Sequence, residues 1–293
     1  MSLVNMKEIL EDARKNKYAV GAFDVSNYDM AMAVVSVAEE LRSPVILMGL
    51  KPDLKDGRIE CLASTMRIIA EKAAVPVCIH LDHSTEFDLI KEAIENGFTS
   101  VMYDGSVLPL EENMKRTKEV VDYAHKYGVT VEAELGHVGD GIVGSSETGL
   151  KAEKPDNPDD YLTNPDEMQT FIKNTGVDAL AVAVGTAHGV YVRKPVLHFD
   201  RLDKLNQLSS VPLVMHGGSG TPDEGIKRSI ELGICKINIF SEMLTGFFTS
   251  LKTVLNSHDN MAIWPNMAYE KPIEDMKEVI RKKILLFGSN GRA

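Results

Sequence analysis

Short apolar runs alternate with longer amphipathic stretches along almost the whole chain. Several of these runs are continuous in valine, isoleucine and leucine rather than alternating with polar residues. Continuous apolar runs are typical of parallel strands that are covered on both faces. The eight predicted strands are Ala19–Val25, Pro44–Leu50, Val75–His83, Ser100–Ser106, Thr130–Val138, Ala179–Gly189, Val211–Gly220 and Lys236–Glu242.

The stretches between these runs carry apolar residues at helical spacing. The clearest predicted helices are Asn27–Leu41, Thr85–Asn96 and Leu110–Tyr127. Asn96-Gly97 and Tyr127-Gly128 are interpreted as helix ends that lead into the next strand.

Eight strand–helix units within about 240 residues favour a closed barrel. We therefore predict a (β/α)8 TIM barrel that forms a single domain over residues 1–293. A doubly wound open sheet is the alternative, but it usually has fewer strands and an early glycine-rich fingerprint, which this chain lacks. The residues after Glu242 are predicted to form additional C-terminal helices that close the barrel or reach a partner subunit.

Composition narrows the possible partners and the location. The chain is 44% apolar and 26% charged, as in soluble globular proteins, and its net charge of −11 disfavours binding to nucleic acid or to an anionic membrane. It has no apolar run long enough for a transmembrane helix, and Met1–Lys17 lacks the apolar stretch of a signal peptide. Its three cysteines form no paired framework, so we expect a cytoplasmic protein.

Histidines stand at the ends of three different predicted strands. Catalytic residues of such barrels lie at the carboxyl ends of the strands, so His83, His188 and His216 are expected to meet at one mouth. Any one of them alone is more often a hydrogen-bonded structural residue. Three together predict a metal site, because three neutral imidazoles leave one position open on Zn²⁺, as in catalytic zinc centres.

Acidic residues accompany these histidines. Asp82, Asp104 and Glu134 also stand at predicted strand ends and are expected beside the metal. His80 is interpreted as one residue out of phase with Asp82, and its role is left open between support of the site and a purely structural one.

Glycine-rich segments follow the sixth, seventh and eighth predicted strands. Gly189, the segment from Gly217 to Gly220, and the segment from Asn238 to Ser241 are expected to present backbone N–H groups where barrels commonly hold a phosphate. Glycine alone is weak evidence for a phosphate site, because tight turns also need glycine. The interpretation rests on the position of these segments beside two of the candidate metal-binding histidines. A phosphate could then bind to backbone dipoles on an acidic protein.

An open metal position, a phosphate site and a neighbouring carboxylate together suggest one chemistry. The metal would polarise a ketose carbonyl and stabilise the charge of an enediolate, and Asp82 would move a proton at the hydroxyl of the aldehyde fragment. A Schiff-base route needs a desolvated lysine at a strand end. Lys236 is expected to open the eighth strand and Lys173 to lie on a helix, so that route is disfavoured.

The glycine-containing loop Gly139–Asn164 is interpreted as a mobile lid, with a surface insertion as the alternative.

At these residues the sequence resembles the class II ketose-bisphosphate aldolases, which include the fructose- and tagatose-bisphosphate enzymes. The resemblance extends over nearly the whole chain. The segments that carry it are Ala22-Phe23-Asp24-Val25, Ser43-Pro44-Val45-Ile46, Leu81-Asp82-His83, Ser100-Val101-Met102, Asp104-Gly105-Ser106, Glu132-Ala133-Glu134-Leu135-Gly136, Gly185-Thr186-Ala187-His188-Gly189, His216-Gly217-Gly218-Ser219-Gly220, Lys236-Ile237-Asn238-Ile239 and Phe287-Gly288-Ser289.

The resemblance implies a role for each matching residue. It implies that His83, His188 and His216 bind catalytic zinc, that Asp82 is the catalytic acid/base, and that Asp104 and Glu134 hold a second or displaced metal position. It further implies a homodimer or homotetramer that acts on a phosphorylated ketose. The residues implied to bind substrate phosphate, often with a monovalent cation (Na⁺ or K⁺), are Gly189, Gly217, Gly218, Ser219, Asn238, Ile239, Phe240 and Ser241.

Three departures from the family pattern concern the substrate. Leu50 stands where the family usually has a serine or threonine that contacts a phosphate, and Phe240 stands where the fructose-type enzymes have aspartate and the tagatose-type alanine. The acidic pair that often follows the fifth strand is replaced by Gly141-Ile142-Val143, so Glu147 is the substitute candidate for the catalytic base of the lid.

The expected function is therefore that of a zinc-dependent aldolase. It would reversibly cleave a ketose 1,6-bisphosphate or a related ketose 1-phosphate to dihydroxyacetone phosphate and an aldehyde. The alternatives are another metal-dependent sugar-phosphate lyase, hydrolase or isomerase, and a non-catalytic sugar-phosphate sensor derived from an aldolase.

Overall fold

Eight parallel strands close into a barrel, as predicted, in a computed structural model that describes residues 2–140, 161–189, 191 and 195–293. Each barrel strand pairs with the next one along the chain, and the last pairs with the first through the register Val20↔Lys236. The barrel strands are β1 (Val20–Asp24), β2 (Val45–Leu50), β3 (Val77–Ser84), β4 (Ser100–Tyr103), β5 (Thr130–Leu135), β7 (Ala179–Val182), β9 (Leu213–Met215) and β10 (Ile234–Ile239). A separate parallel pair consists of β6 (Gly139–Asp140) and β8 (Ala187–His188).

Burial on both faces explains why the strands are continuous apolar runs. All six residues of β2 are buried, with Ile46 and Met48 in one hydrophobic cluster and Val45 and Leu47 in another. The first cluster fills the barrel and the second lies between the barrel and the surrounding helices, so neither face of the strand meets water.

The predicted helices form, with ends that their capping residues explain. The side chain of Asn27 accepts a hydrogen bond from the backbone of Met30 at one start, and Gly97 and Gly128 adopt positive φ after two helix ends. The helices are α1 (Met6–Asn16), α2 (Tyr28–Leu41), α3 (Lys51–Leu54), α4 (Arg58–Lys72), α5 (Phe87–Glu95), α6 (Leu110–Ala124), α7 (Pro165–Thr175), α8 (Phe199–Leu208), α9 (Asp223–Glu231), α10 (Ser241–Asn256) and α11 (Pro265–Phe287), and a short 3-10 turn covers His125–Tyr127.

The amino end of the barrel is covered by α1. Its buried residues Met6, Ile9 and Leu10 belong to the cluster that fills the barrel interior. The backbone of Met6 also donates to the Thr130 hydroxyl at the start of β5. Because this end is filled by apolar side chains, the opposite carboxyl end is the open mouth of the barrel.

The additional C-terminal helices are present. Helix α10 packs on α11, and α11 packs on α2 and β1. The backbone N–H of Ala19, just before β1, donates to the Phe287 carbonyl, and the hydroxyl of Ser43 donates to that of Ser289. The end of the chain is thereby fastened beside the first two strands.

The predicted strand ends differ from the structure, most clearly in the fourth, sixth, seventh and eighth strands. The fourth strand ends at Tyr103, and the seventh spans only Leu213–Met215. The sixth run divides, because the chain leaves the barrel after Val182 and His188 lies instead on β8. The eighth strand begins at Ile234, so Lys236 lies within it rather than opening it. The residues just inside and just outside these strand ends are mostly buried. Their hydropathy therefore does not show where the hydrogen bonding between strands stops.

The predicted lid falls mainly on residues 141–160, which lie outside the described ranges. Within those ranges, no helix combines the length and the apolar character that crossing a membrane requires.

Candidate active site

A bulge in β3 brings two neighbouring residues into the same site. His83 has φ 40°, which is rare for a residue other than glycine, and the pairing of β3 with β4 shifts register between Leu81 and Ser84. In a regular strand Asp82 and His83 would face opposite sides. The shift lets both side chains reach the barrel mouth.

The same geometry corrects the interpretation of His80. His80 and Asp82 are two residues apart on a regular part of β3, so they share a face and are in phase. The His80 Nε2 atom lies 3.8 Å from Asp82 Oδ1 and 3.7 Å from Glu132 Oε2, and its Nδ1 lies 2.8 Å from the Ser100 hydroxyl. His80 therefore lies directly beneath the candidate acid/base.

The three predicted metal-binding histidines converge at the mouth. His83 Nε2 lies 3.1 Å from His188 Nε2 and 2.8 Å from His216 Nδ1. His83 comes from β3, His216 follows β9 directly, and His188 comes from the small sheet rather than from a barrel strand. One nitrogen of each imidazole lies within 4.8 Å of the others, and all three side chains are buried.

The charges around these imidazoles suit a cation. Burial lowers the pKa of His188 and His216 well below the ordinary value, and the neighbouring His83 lowers it further. Burial also acts to lower the pKa of His83, but Asp82, Asp104 and Glu134 together raise it to about 10. Two neutral rings directed at a third that is surrounded by carboxylates form a nitrogen donor set that fits a divalent metal ion.

The predicted carboxylates Asp104 and Glu134 complete a second possible donor group with His83. Asp104 Oδ2 lies 2.9 Å from His83 Nδ1, and its Oδ1 accepts from the Ser106 backbone. Although burial acts to raise the pKa of Asp104, these hydrogen bonds hold it well below its ordinary value. Burial and the charge of Asp104 raise the pKa of Glu134. Glu134 Oε2 lies 3.6 Å from His216 Nδ1 and has no hydrogen-bond partner among the described residues.

Asp82 faces a narrow cleft beside this cluster. Its side chain is 4% exposed, and Asn238 Nδ2 lies 3.2 Å from both carboxylate oxygens. Burial raises the pKa of Asp82, an effect that the charges of His83 and Lys236 reduce. A held carboxyl group with a raised pKa can both accept and return a proton. His188, Gly217, Ser219 and Phe240 also line this cleft.

The predicted phosphate-binding segments are brought together next to the Asp82 cleft, with which they share Gly189 and Ser219. Gly189, Ser219 and Ser241 line a cavity of about 640 Å³, which continues to Glu242 and Lys283. The Ser219 hydroxyl accepts from the backbone N–H groups of Phe240 and Glu242, where α10 begins. The helix N-terminus therefore faces the cavity, in the arrangement that favours an anion.

Not every predicted substrate-binding group faces this cavity. The side chain of Ile239 is fully buried in the core, and the N–H of Gly218 donates to the carbonyl of Asn238. The N–H groups of Gly218 and Phe240 thus bond within the protein, between the loop that follows β9 and the segment around the end of β10. A ligand could be bound by the other backbone N–H groups of these segments. Glu147, the predicted base, lies outside the described residues.

Sequence reasoning did not place two charged residues, Glu132 and Lys236, inside the barrel. Glu132 and Lys236 are both fully buried, and Lys236 Nζ lies 2.8 Å from Glu132 Oε2. Lys236 is therefore desolvated, as the disfavoured Schiff-base route requires, but it lies in the middle of β10 and pairs with a carboxylate. The missed signal was the two-residue spacing of Glu132 and Glu134, which places both on the same face of β5.

Gly217 packs closely against the backbone that carries His188. It has φ +66°, and a Cβ atom there would lie 2.3 Å from the carbonyl oxygen of Ala187, the residue before His188. Gly128 has a similar φ of +72° but open space around it. We expect Gly128→Ala to cost about 1–2 kcal/mol of unfolding free energy through backbone strain alone. Gly217→Ala should cost more and also weaken metal binding, because the backbone that carries His188 must move.

Urea unfolding and a competitive metal titration of the two variants measure these effects. Equal losses of stability with unchanged metal affinity in Gly217→Ala would show that the Ala187 contact does not hold His188 in place.

Comparison with known proteins covers the chain almost end to end. The family model described as fructose-bisphosphate aldolase class-II matches residues 4–292. The chain is similar to the YdjI aldolase from Escherichia coli K12, with 35% identity over 99% of both chains and a TM-score of 0.85.

Two further solved structures are similar. A putative fructose-1,6-biphosphate aldolase from Coccidioides immitis is 28% identical over 98% of this chain and 97% of that one, with a TM-score of 0.86. The fructose-bisphosphate aldolase from Campylobacter jejuni is 19% identical over 100% and 97%, with a TM-score of 0.81, and that likeness shows the shared fold alone.

Proposed function

This chain belongs to the class II fructose-bisphosphate aldolase family, and from that premise we propose a zinc-dependent aldolase that acts on a phosphorylated ketose. It would reversibly cleave a ketose 1,6-bisphosphate, or a related ketose 1-phosphate, to dihydroxyacetone phosphate and an aldehyde. The observation that supports this most strongly is the convergence of three buried imidazoles with Asp82 at one barrel mouth.

His83, His188 and His216 are the proposed zinc ligands, and Glu134 and Asp104 offer an alternative position with His83. When bound there, zinc would act as a Lewis acid that polarises the ketose carbonyl and stabilises negative charge at its oxygen. Three nitrogen ligands leave a coordination position for substrate, as catalytic zinc sites require.

Asp82 is the proposed acid/base. In the cleavage direction its carboxylate takes the proton from the hydroxyl on the carbon that becomes the aldehyde, while the adjacent carbon–carbon bond breaks. The electron pair of that bond stays on the dihydroxyacetone-phosphate fragment, which then takes up a proton at carbon. Glu147 remains the proposed donor of that second proton. Asn238 keeps Asp82 oriented through its amide N–H group.

The phosphate would bind between Gly189, Ser219 and the start of α10, with a monovalent cation (Na⁺ or K⁺) as a proposed companion. This cavity adjoins the Asp82 cleft, because Gly189 and Ser219 line both. A ketose phosphate spanning them would place its phosphate on backbone dipoles and its reacting carbons beside the metal.

Phe240 and Leu50 are proposed to select the aldehyde part of the substrate. Phe240 lines the Asp82 cleft, and Leu50 pairs with Asp82 in the register of β2 with β3. Both are apolar where a second phosphate or additional hydroxyls would need hydrogen-bond partners. This favours an aldehyde product with less charge at that position than glyceraldehyde 3-phosphate has.

Exposed apolar side chains support the proposal of a homodimer or homotetramer. Phe248 on α10, Met267 on α11, and Met261 and Trp264 between these helices are all exposed. Exposed apolar side chains concentrated on and between two paired helices are typical of a subunit contact.

The proposed function is tested by assaying triose-phosphate release with and without a chelator. The substrates are fructose 1,6-bisphosphate, tagatose 1,6-bisphosphate and several ketose 1-phosphates. We expect release from at least one sugar, its loss on chelation and its return with added zinc. Release that survives complete removal of metal would contradict the proposal. Zinc binding with no release from any sugar would favour the sensor alternative.

A further inference from the structure

Glu132 and Lys236 are unusual for the interior of a barrel. Such interiors are normally filled by layers of branched apolar side chains. Here two opposite charges are fully buried, 2.8 Å apart, on the facing strands β5 and β10. Burying an ion pair often costs more than its attraction returns, so apolar residues of similar size would serve stability at least as well.

The pair contacts one of the proposed metal ligands. His216 Nε2 lies 2.8 Å from Glu132 Oε1, while Lys236 Nζ lies 2.8 Å from the other carboxylate oxygen. An ionised carboxylate only accepts hydrogen bonds, so the proton of a neutral His216 must be on Nε2. Its Nδ1 then carries the lone pair and faces His83, 2.8 Å away.

We infer that Glu132 and Lys236 are positioning residues for the metal centre. Glu132 fixes the ring orientation and the tautomer of His216, and Lys236 compensates the charge of the Glu132 carboxylate through the ion pair with its second oxygen. This inference rests on the proposed metal site but not on any substrate. Partners of this kind behind a ligating histidine change metal affinity by roughly 10–100-fold.

The two strands explain how the pair acts on the ligand. Glu132 lies two residues before Glu134 on β5, and Lys236 lies two residues before Asn238 on β10. The pair thus forms the layer directly below Glu134 and Asn238, and His216 at the end of β9 reaches down to it. Asp104 has the corresponding position behind His83, where it contacts Nδ1 and leaves Nε2 directed at the cluster.

The test uses a double variant, because either single change would leave one buried charge without its partner. In Glu132→Gln/Lys236→Met both charges are removed and the volumes are nearly kept. A glutamine amide can present either its oxygen or its NH₂ group to His216, so it no longer dictates the tautomer. We expect an unfolding midpoint close to that of the wild type but zinc affinity lowered roughly 10–100-fold in a chelator competition titration.

The matched control is Glu40→Gln/Arg281→Met. This pair has 2.8 Å between Arg281 Nη2 and Glu40 Oε2, and it lies outside the barrel, between α2 and α11 and away from the site. Its zinc affinity should equal that of the wild type. If the Glu132/Lys236 variant folds and also binds zinc as tightly as the wild type, the pair is only structural and the inference is overturned.

A second measurement is independent of affinity. Long-range ¹H–¹⁵N spectra of the zinc-loaded protein should show His216 protonated on Nε2 in the wild type. In Glu132→Gln/Lys236→Met that single pattern should be lost. The Nδ1-protonated form in the wild type would overturn the inference. Zinc bound in the wild type without triose-phosphate release would overturn the proposed function alone, and a wild type that binds no zinc would overturn both.

Discussion

Replacing His83 with alanine is expected to abolish the metal-dependent cleavage of the ketose phosphate. His83 is the central member of the cluster, because its Nε2 lies within 3.1 Å of nitrogens on both other imidazoles. A bound metal contributes several kcal/mol to the stabilisation of developing charge, and each 1.36 kcal/mol is tenfold in rate. We therefore expect kcat to fall on the order of 10³-fold or more, together with loss of tight zinc binding.

His258→Ala provides the control for removal of an imidazole. His258 is exposed after α10, and its ring Nδ1 lies within hydrogen-bond distance of Ser257 and Val254 in its own turn. It should bind zinc and turn over substrate as the wild type does. Full activity of His83→Ala at the same zinc occupancy would remove His83 from the proposed ligand set.

Replacing Asp82 with asparagine is expected to separate metal binding from catalysis. The side chain keeps its shape, and its amide oxygen can still accept from Asn238, so zinc should bind nearly as in the wild type. The variant cannot take up the hydroxyl proton, and loss of a positioned acid/base typically costs 10²–10⁴-fold in rate. We expect a fall of about that size in kcat, with a much smaller change in KM.

Zinc content after dialysis and steady-state kinetics on the preferred ketose phosphate measure both effects. An unchanged kcat would exclude Asp82 as the acid/base. Loss of zinc together with loss of rate would instead show that Asp82 acts by holding the β3 bulge and His83 in place.

The barrel could be predicted because buried parallel strands leave a signal that depends only on the chain itself. Each of the eight strands is buried on both faces, so each appears as an apolar run. The strand ends could not be predicted equally well. The segment from Ala179 to Gly189 is apolar throughout, but the exit from the barrel after Val182 depends on the pairing of Ala187 with Gly139, which is distant in sequence.

The candidate site was predictable to the extent that barrel geometry alone determines it. Carboxyl ends of parallel strands meet, so His83 and His216 had to converge, whereas His188 reaches the same mouth from the small sheet. The positive φ of His83 could not be predicted from its residue type. Glycine commonly indicates such a backbone conformation, but histidine does not. Glu132 stands in the same predicted strand as Glu134 but was assigned no role, because it lies one layer below the strand end that carries the site.

Pairing between the first and last barrel strands also determines when the protein can fold during synthesis. Val20 leaves the ribosome about 200 residues before its partner Lys236, a delay of roughly 10–40 s at ordinary translation rates. Throughout that time the edge of β1 that pairs with β10 in the folded protein is unpaired, and open strand edges promote aggregation. His188 and His216 also emerge late, so the proposed metal can be captured only by a nearly complete chain. A nascent chain of this protein should therefore depend on chaperones until the last strand is made.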